Sequence, residues 1–251
     1  MQAERFIKGR PLTLSVLDYG LFKVRSDGRV IGICGFVICT DAGETILIDT
    51  GFPEKYAMDK KAASTKDRLY EFGEVLECGP ENLPVAQLAK LGLAPADVTL
   101  HICTHSHIDH VGGLGSFPGV PILISTQERA LARPLYWGGM QPLDWPDRDY
   151  LEVEGDVLIG PGLNVLAAPG HTPGQIALMV DLPSGPFLLT SDAISRPAEI
   201  NEEFPGSWNR AAAIASADRL MKLADKRGAF VIFGHCPAQW PKLRKAPSLY
   251  G

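Results

Sequence analysis

The residues most able to do chemistry crowd into one short segment, THSHIDHVGG (104–113). His105, His107, Asp109 and His110 fall within six positions there, although the whole chain has only six histidines. Imidazole and carboxylate groups are good ligands for divalent first-row metals, zinc in particular. Two glycines follow at 112–113 and permit close backbone approach behind the loop. The segment therefore predicts a metal site.

Further ligand-type residues lie at the ends of other apolar runs. His171, Asp192 and His235 each follow such a run, whereas His101 lies inside one and is interpreted as a structural residue. Seven side-chain ligands are too many for one tetrahedral zinc ion. They suit two metal ions, each with an open or water-filled position.

The elements that must carry these residues are predicted from apolar runs and turn signals. Strands are expected at 30–40, 45–51, 98–104, 120–126, 162–171 and 229–235, with a hairpin over 175–193. Strands 30–40 and 45–51 also form a hairpin. Helices are expected at 81–93, after Thr126 as a cap, and at 207–228 with a Ser cap and a Gly stop. Residues 54–77 are interpreted as a weakly helical surface excursion. Ligands at strand ends are typical of sites in α/β proteins.

Length and composition narrow the class of protein. The 251 residues carry a net charge of −5 and are 45% hydrophobic, which fits one α/β domain over 1–251. The chain has no basic stripe for nucleic acid or an anionic membrane. Its charged N-terminus lacks the apolar core of a signal peptide, and no apolar run is long enough to cross a bilayer. A cytoplasmic location is expected.

These motifs, in this order, resemble the metallo-β-lactamase-fold hydrolase superfamily. The resemblance rests on H-x-H-x-D-H together with LIDTG (47–51), PGHTPG (169–174), TSDA (190–193) and FGH (233–235). It implies a four-layer αβ/βα sandwich with a dinuclear metal site at the edge of two sheets. By the same resemblance, one metal is held by His105, His107 and His171, and the other by Asp109, His110 and His235. Asp192 bridges them, and Asp49 orients a ligand histidine.

The C-terminal segment FGHCPAQWPKLRKAPSLYG (233–251) resembles the N-acyl homoserine lactonase branch. Asp192 and the absence of an export signal count against a β-lactamase. Only 16 residues follow His235, too few for the glutathione-binding segment of a glyoxalase II-like thioesterase. The open alternatives are that thioesterase and a lactonase for another small lactone, such as a pyridoxolactone. The complete ligand set disfavours a non-enzyme scaffold.

The resemblance implies a hydrolase with two divalent ions, Zn²⁺ first and Mn²⁺, Fe²⁺ or Co²⁺ as alternatives. A metal-bridging hydroxide would open the lactone, in a quorum-quenching reaction, with Asp109 and Asp192 as the catalytic carboxylates. A small-molecule lactone is the expected partner of a monomer or homodimer.

The chain departs from the pattern of the lactonase branch at the residue that supports the substrate carbonyl. The branch often has a tyrosine where this chain has Ser195, so Tyr136 or Tyr150 is expected to supply the hydroxyl. The predicted substrate pocket comprises Ser195 and four residues of RPLYWGGMQPLDW (133–145): Tyr136, Trp137, Met140 and Trp145. The alternative is that these four pack the loop onto the body or form a dimer contact.

Overall fold

Two β-sheets form the centre of the protein in a computed structural model that describes residues 6–251. The strands are β1 (Pro11–Val24), β2 (Val30–Thr40), β3 (Thr45–Ile48), β4 (Gly73–Glu77), β5 (Leu100–Ile102), β6 (Ile122–Ser125), β7 (Tyr150–Val153), β8 (Val157–Gly160), β9 (Leu163–Ala167), β10 (Ile176–Leu182), β11 (Gly185–Leu189) and β12 (Phe230–Ile232). The larger sheet has the order β4-β1-β2-β3-β5-β6-β7, and the smaller one β12-β11-β10-β9-β8.

Helices and short turns connect the strands. The α-helices are α1 (Lys55–Met58), α2 (Lys60–Asp67), α3 (Pro84–Ala89), α4 (Ile108–Val111), α5 (Thr126–Arg129), α6 (Ala198–Glu202) and α7 (Arg210–Arg227). Single 3₁₀ turns lie at Leu69–Glu71, Pro80–Asn82, Pro95–Asp97, Leu114–Ser116, Ser191–Ile194 and Trp240–Lys242. Within residues 6–251, none of the helices combines the length and the apolar character that a bilayer span requires.

Both predicted hairpins are present. β2 pairs antiparallel with β3, and β10 pairs antiparallel with β11. β3, β5, β6 and β7 then run parallel to one another. In the smaller sheet, β11 pairs parallel with β12. These parallel pairings bring the carboxyl ends of β3, β5, β11 and β12 to the edge where the ligand-type residues follow.

The two sheets face each other across the main core. Ile46 and Leu123 from the larger sheet are buried in one apolar cluster with Leu178, Leu189 and Ile232 from the smaller sheet. Alternate residues on each strand point into this cluster, as expected where two sheets pack face to face. The sandwich is therefore held together chiefly by apolar burial between its two inner faces.

The outer face of the smaller sheet is covered by α7. Ala213, Ala217 and Leu220 pack against apolar side chains of β9, β10 and β11. The predicted stop is confirmed, because Gly228 ends the helix in the left-handed conformation. The predicted Ser cap is wrong, since the side chain of Asn209 accepts the capping hydrogen bond from the backbone N–H of Ala212.

The outer face of the larger sheet is covered by the segment between β3 and β5. The prediction for 54–77 is correct in its helices but wrong in calling the segment a surface excursion. Tyr56 and Leu69 are buried in the apolar cluster on that face, and Gly73–Glu77 is an edge strand paired with β1. With helices outside both sheets, the predicted four-layer sandwich is confirmed.

Smaller differences concern strand and helix ends. The helix predicted over 81–93 is limited to α3. The helix expected after Thr126 is only α5, and its cap is Ser125, whose Oγ accepts from the backbone N–H of Glu128. β1 was not predicted, because a bulge between Asp18 and Leu21 interrupts its alternation.

Candidate metal centre and cavity

The histidine loop begins where β5 ends and leads into α4. His107 Nδ1 lies 3.1 Å from His105 Nε2 and 2.9 Å from His171 Nε2. Ligand nitrogens on a tetrahedral zinc ion, with bonds of about 2.0–2.1 Å, lie about 3.3 Å apart. The three imidazoles therefore converge in a way that suits one metal ion.

A second group lies beside the first. The carboxylate of Asp109 has its Oδ2 at 3.7 Å from His110 Nε2 and at 3.5 Å from His235 Nε2. These three residues also place one ligand atom each close enough to share an ion. They come from the start of α4 and from the turn after β12.

Asp192 lies between the two groups, one oxygen toward each. Its Oδ1 is 3.1 Å from His235 Nε2 and 3.5 Å from His110 Nε2. Its Oδ2 is 3.4 Å from His171 Nε2 and 4.0 Å from His105 Nε2. This is the placement that a carboxylate bridging two ions requires.

Two buried atoms in this cluster have no hydrogen-bond partner among residues 6–251: His110 Nε2 and Asp192 Oδ1. Burying such atoms without a partner is costly. A cation between them would satisfy both, so the donor set fits divalent metal ions on the evidence of this structure.

The outer ring nitrogens have oxygen partners. His110 Nδ1 lies 2.8 Å from Asp49 Oδ2, and His235 Nδ1 lies 2.9 Å from the carbonyl oxygen of Gly32. An acceptor at Nδ1 favours the tautomer that leaves the Nε2 lone pair free for a metal. Asp49 is itself held by Thr104, whose backbone N–H and Oγ1 donate to its carboxylate. The structure thus places Asp49 against a candidate ligand, as predicted.

The two groups differ in their electrostatics. Burial lowers the pKa of His105 and His107, and it lowers the pKa of His171 to about 4. Burial opposes protonation of His110 and His235 as well, but neighbouring carboxylates outweigh it. Their pKa values rise, chiefly because of Asp109 for His110 and because of Asp192 for His235, whose pKa reaches about 9. A metal ion entering the second group would therefore displace protons.

The cluster forms the floor of a cavity of about 720 Å³, within the range of small-molecule sites. His107, Asp109, His171, Asp192 and His235 face this cavity. One wall is aromatic and consists of Phe22, Phe52, Phe72 and Trp137. The other wall carries charged residues, which are Asp27, Arg29, Arg196, Glu199 and Glu202.

The predicted pocket residues divide into two sets. Tyr136, Trp137 and Ser195 line the cavity. Met140 and Trp145 lie outside it, which corrects the prediction for both. Met140 pairs with Trp137 through the backbone and packs on the outer cluster of the larger sheet. Trp145 donates from Nε1 to the carbonyl of Leu131, 2.8 Å away, so both residues anchor their loop.

Neither tyrosine offers a free hydroxyl to the cavity. The Tyr136 hydroxyl donates to Asp67 Oδ2 at 2.5 Å, and this buried carboxylate also accepts from Tyr56. The Tyr150 hydroxyl donates to the carbonyl of Pro146 at 2.8 Å, and the residue lies outside the cavity wall. The prediction that one of them supports a substrate carbonyl finds no support in the geometry.

Sequence reasoning placed Trp137 in the pocket but missed the rest of the aromatic wall, the charged wall and two buried carboxylates, Asp67 and Glu128. The aromatic wall brings together the end of β1 and residues 52–72, which are far apart in the sequence. The spaced aromatic residues at 52, 56 and 72 were the available signal, but the charges around them favoured a surface interpretation. Nothing local marks Glu128, since QER is typical of an exposed helix.

Two facing sheets between helices, with clustered His and Asp residues beyond their strand ends, define a class of metal-dependent hydrolases. The chain belongs to the metallo-beta-lactamase superfamily, whose family model matches residues 29–235.

Two relatives similar to this chain in sequence are N-acyl homoserine lactonases. The chain is 36% identical over 185 residues to the N-acyl homoserine lactonase AttM of Azorhizobium caulinodans, covering 66% of this chain and 68% of that protein. It is 31% identical over 217 residues to the N-acyl homoserine lactonase of Bacillus thuringiensis, covering 84% of each.

Solved structures show the same likeness. A quorum-quenching N-acyl homoserine lactone hydrolase superposes with a TM-score of 0.81 at 26% identity, covering 97% of this chain and 100% of that one. Another solved structure, of an N-acyl homoserine lactone hydrolase with the product N-hexanoyl-L-homoserine bound at its catalytic metal centre, gives a TM-score of 0.80 at 25% identity. It covers 96% of this chain and 100% of the other.

Proposed function

We propose that this protein hydrolyses the lactone ring of N-acyl homoserine lactones, a quorum-quenching reaction. The observation that carries the proposal is a small-molecule cavity whose floor holds two ligand groups with Asp192 between them. The named lactonase relatives, which align over most of the chain, support the choice of substrate.

The metal centre is part of the proposal. His105, His107 and His171 would hold one divalent ion, Asp109, His110 and His235 the other, and Asp192 both. Two bound ions, Zn²⁺ being the first choice and Mn²⁺, Fe²⁺ or Co²⁺ the alternatives, would supply Lewis acidity and a water of lowered pKa.

The remaining steps belong to the side chains of the chain itself. Asp109 lines the cavity, and its carboxylate would accept the proton of the attacking water and then return it to the alkoxide of the opened ring. The aromatic wall would hold the apolar acyl group by burial. Ser195 lines the cavity, but its side chain is shorter than the tyrosine that the lactonase branch often has at this position.

The chain would form a single domain over 1–251, act in the cytoplasm as a monomer or homodimer, and take a small lactone as its partner. The acidic net charge supports the absence of nucleic acid among its partners.

The test is a comparison of kcat/KM at one pH and one metal loading. The substrates are N-acyl homoserine lactones, simple γ-lactones, a pyridoxolactone, nitrocefin and a glutathione thioester. Hydrolysis of each substrate is measured by the release of protons. The homoserine lactones should be the best substrates. A tenfold preference for the thioester or nitrocefin would refute the assignment as a lactonase. A preference for another lactone would keep that assignment and change only the lactone proposed as substrate.

A further inference from the structure

A fully buried carboxylate binds the histidine loop at Ser106, two residues after the contact of Thr104 with Asp49. Glu128, in α5, has none of its surface exposed. Such an acid must find hydrogen-bond donors inside the protein, because burial of a charged group without them is very costly. The donors that it finds come from two separate loops.

Each carboxylate oxygen of Glu128 accepts hydrogen bonds from one of these loops. Glu128 Oε1 accepts from the backbone N–H of Ser106 at 2.9 Å and from its Oγ at 2.5 Å. Glu128 Oε2 accepts from Thr172 Oγ1 at 2.9 Å and from the backbone N–H of Gly174 at 3.1 Å. Ser106 separates His105 from His107, and Thr172 directly follows His171.

The second loop is also packed tightly against the start of α5. Ser125 Oγ donates to the carbonyl of Gly174 at 2.6 Å. A Cβ on Gly174 would lie 2.3 Å from the backbone nitrogen of Glu128, so only glycine permits this approach. Glu128 therefore cannot shift without moving the loop that carries His171.

We propose that Glu128 is a positioning residue that sets the separation of the two loops supplying His105, His107 and His171. The 2.9 Å distance between His107 Nδ1 and His171 Nε2 depends on that separation. The proposal rests on the metal centre proposed above and does not depend on which ester is cleaved.

The diagnostic variant is Glu128→Gln. It keeps the shape of the side chain but turns one acceptor oxygen into an NH₂ group facing two donors, whichever way the amide is oriented. The backbone N–H of one loop therefore loses its acceptor, because only the hydroxyl can turn to accept from the NH₂ group, while the Nδ1 contacts of His110 and His235 are untouched. Residues that orient metal ligands typically change metal affinity by about 10–100-fold when mutated.

The experiment is a chelator competition on the Co²⁺-substituted protein, with the visible Co²⁺ spectrum as a second readout. In Glu128→Gln, one of two ions should bind about 10–100-fold more weakly and the other should be unchanged. The spectrum of the weakened site should change. With a lactone substrate, kcat should fall more than KM rises.

The control is Glu44→Gln. Glu44 also accepts from two backbone N–H groups and a hydroxyl, those of Lys8, Gly9 and Thr40, each at 2.9 Å. It lies in the turn between β2 and β3, at the opposite end of β3 from Asp49. Its variant should lose stability without any change in affinity for either ion.

Thr172→Val provides a second route if Glu128→Gln does not fold. It removes one donor from one loop and should weaken the same ion several-fold. Unchanged affinity for both ions in a folded Glu128→Gln protein would overturn the proposal. Equal weakening of both ions, matched by Glu44→Gln, would also overturn it.

The outcome separates this inference from the proposed function. If the wild-type protein binds two ions and the variants behave as described, but no lactone is opened, the positioning role stands and the lactonase assignment is wrong. A wild-type protein that binds fewer than two ions overturns the positioning role together with the metal centre.

Discussion

His101 should make the protein markedly less stable in mild acid. It lies on β5 with 1% of its surface exposed, and neither ring nitrogen has a hydrogen-bond partner among residues 6–251. Burial, assisted by the positive charge of Arg148, lowers its pKa from 6.5 to about 3. The folded protein therefore keeps this imidazole neutral over a range in which the unfolded chain protonates it.

The sign and size follow from proton linkage. Above pH 6.5 the imidazole is neutral in both states and does not change stability with pH. Between pH 6.5 and 3 only the unfolded chain takes up the proton, so folding is penalised by about 1.4 kcal/mol per pH unit. At pH 5 the penalty reaches about 2 kcal/mol, a large fraction of a typical folding free energy.

The perturbation is His101→Leu, which removes the titrating group and its two unpartnered nitrogens. Urea unfolding of both proteins at pH 7.5 and pH 5.0, with excess chelator throughout, gives the loss of stability on acidification. The other histidines are common to both proteins, so their contribution cancels. The variant should lose about 2 kcal/mol less than the wild type.

Arg148→Gln tests the cause, because removing the positive charge should raise the pKa of His101 and reduce the acid penalty. Equal losses of stability in the wild type and His101→Leu would refute the reasoning. Such a result would mean that His101 is protonated in the folded protein, or that a bound water satisfies its ring.

Three further changes test the site. Asp192→Asn should lose metal by elemental analysis and reduce kcat about a hundredfold or more, whereas Asp181→Asn, at a half-buried position of β10, should do neither; near-normal turnover would refute the bridging role. Tyr136→Phe should lower the free energy of unfolding by about 1–3 kcal/mol, because its hydroxyl donates to buried Asp67, and should leave kcat within a few-fold. A collapse of kcat there would show that the hydroxyl serves the substrate. Trp137→Ala should raise KM more for long acyl chains than for short ones, and equal effects would place the acyl group elsewhere.

The candidate ligands could be predicted because their signal is local. Each of His105, His171, Asp192 and His235 follows a strand, and an apolar run ending in a ligand-type side chain is visible in one short window. Parallel strands then bring such ends to one edge of the sandwich. No knowledge of distant contacts is needed for this step.

The cavity walls could not be predicted in this way. The aromatic wall forms only when the end of β1 meets Phe52 and Phe72, and the rings of Phe22 and Phe72 then stack with centroids 5.7 Å apart. β1 itself is hard to recognise, because its bulge breaks the two-residue period on which strand prediction depends. The N-terminal cap of α7 was predicted at the wrong residue for a simpler reason, because Ser207 and Asn209 are both good capping residues.

The structure also explains why the histidine loop alternates hydroxyl residues with histidines. Thr104 donates its backbone N–H and its hydroxyl to Asp49, and Ser106 donates the same pair of groups to Glu128. Two buried carboxylates thus hold the loop, one through Thr104 and the other through Ser106, with His105 between these two residues. Threonine and serine are the residues that offer both donors at one position with a short side chain. Alanine at either position would leave one buried carboxylate short of a donor, so the pattern T-H-S-H reflects support for the ligands as much as the ligands themselves.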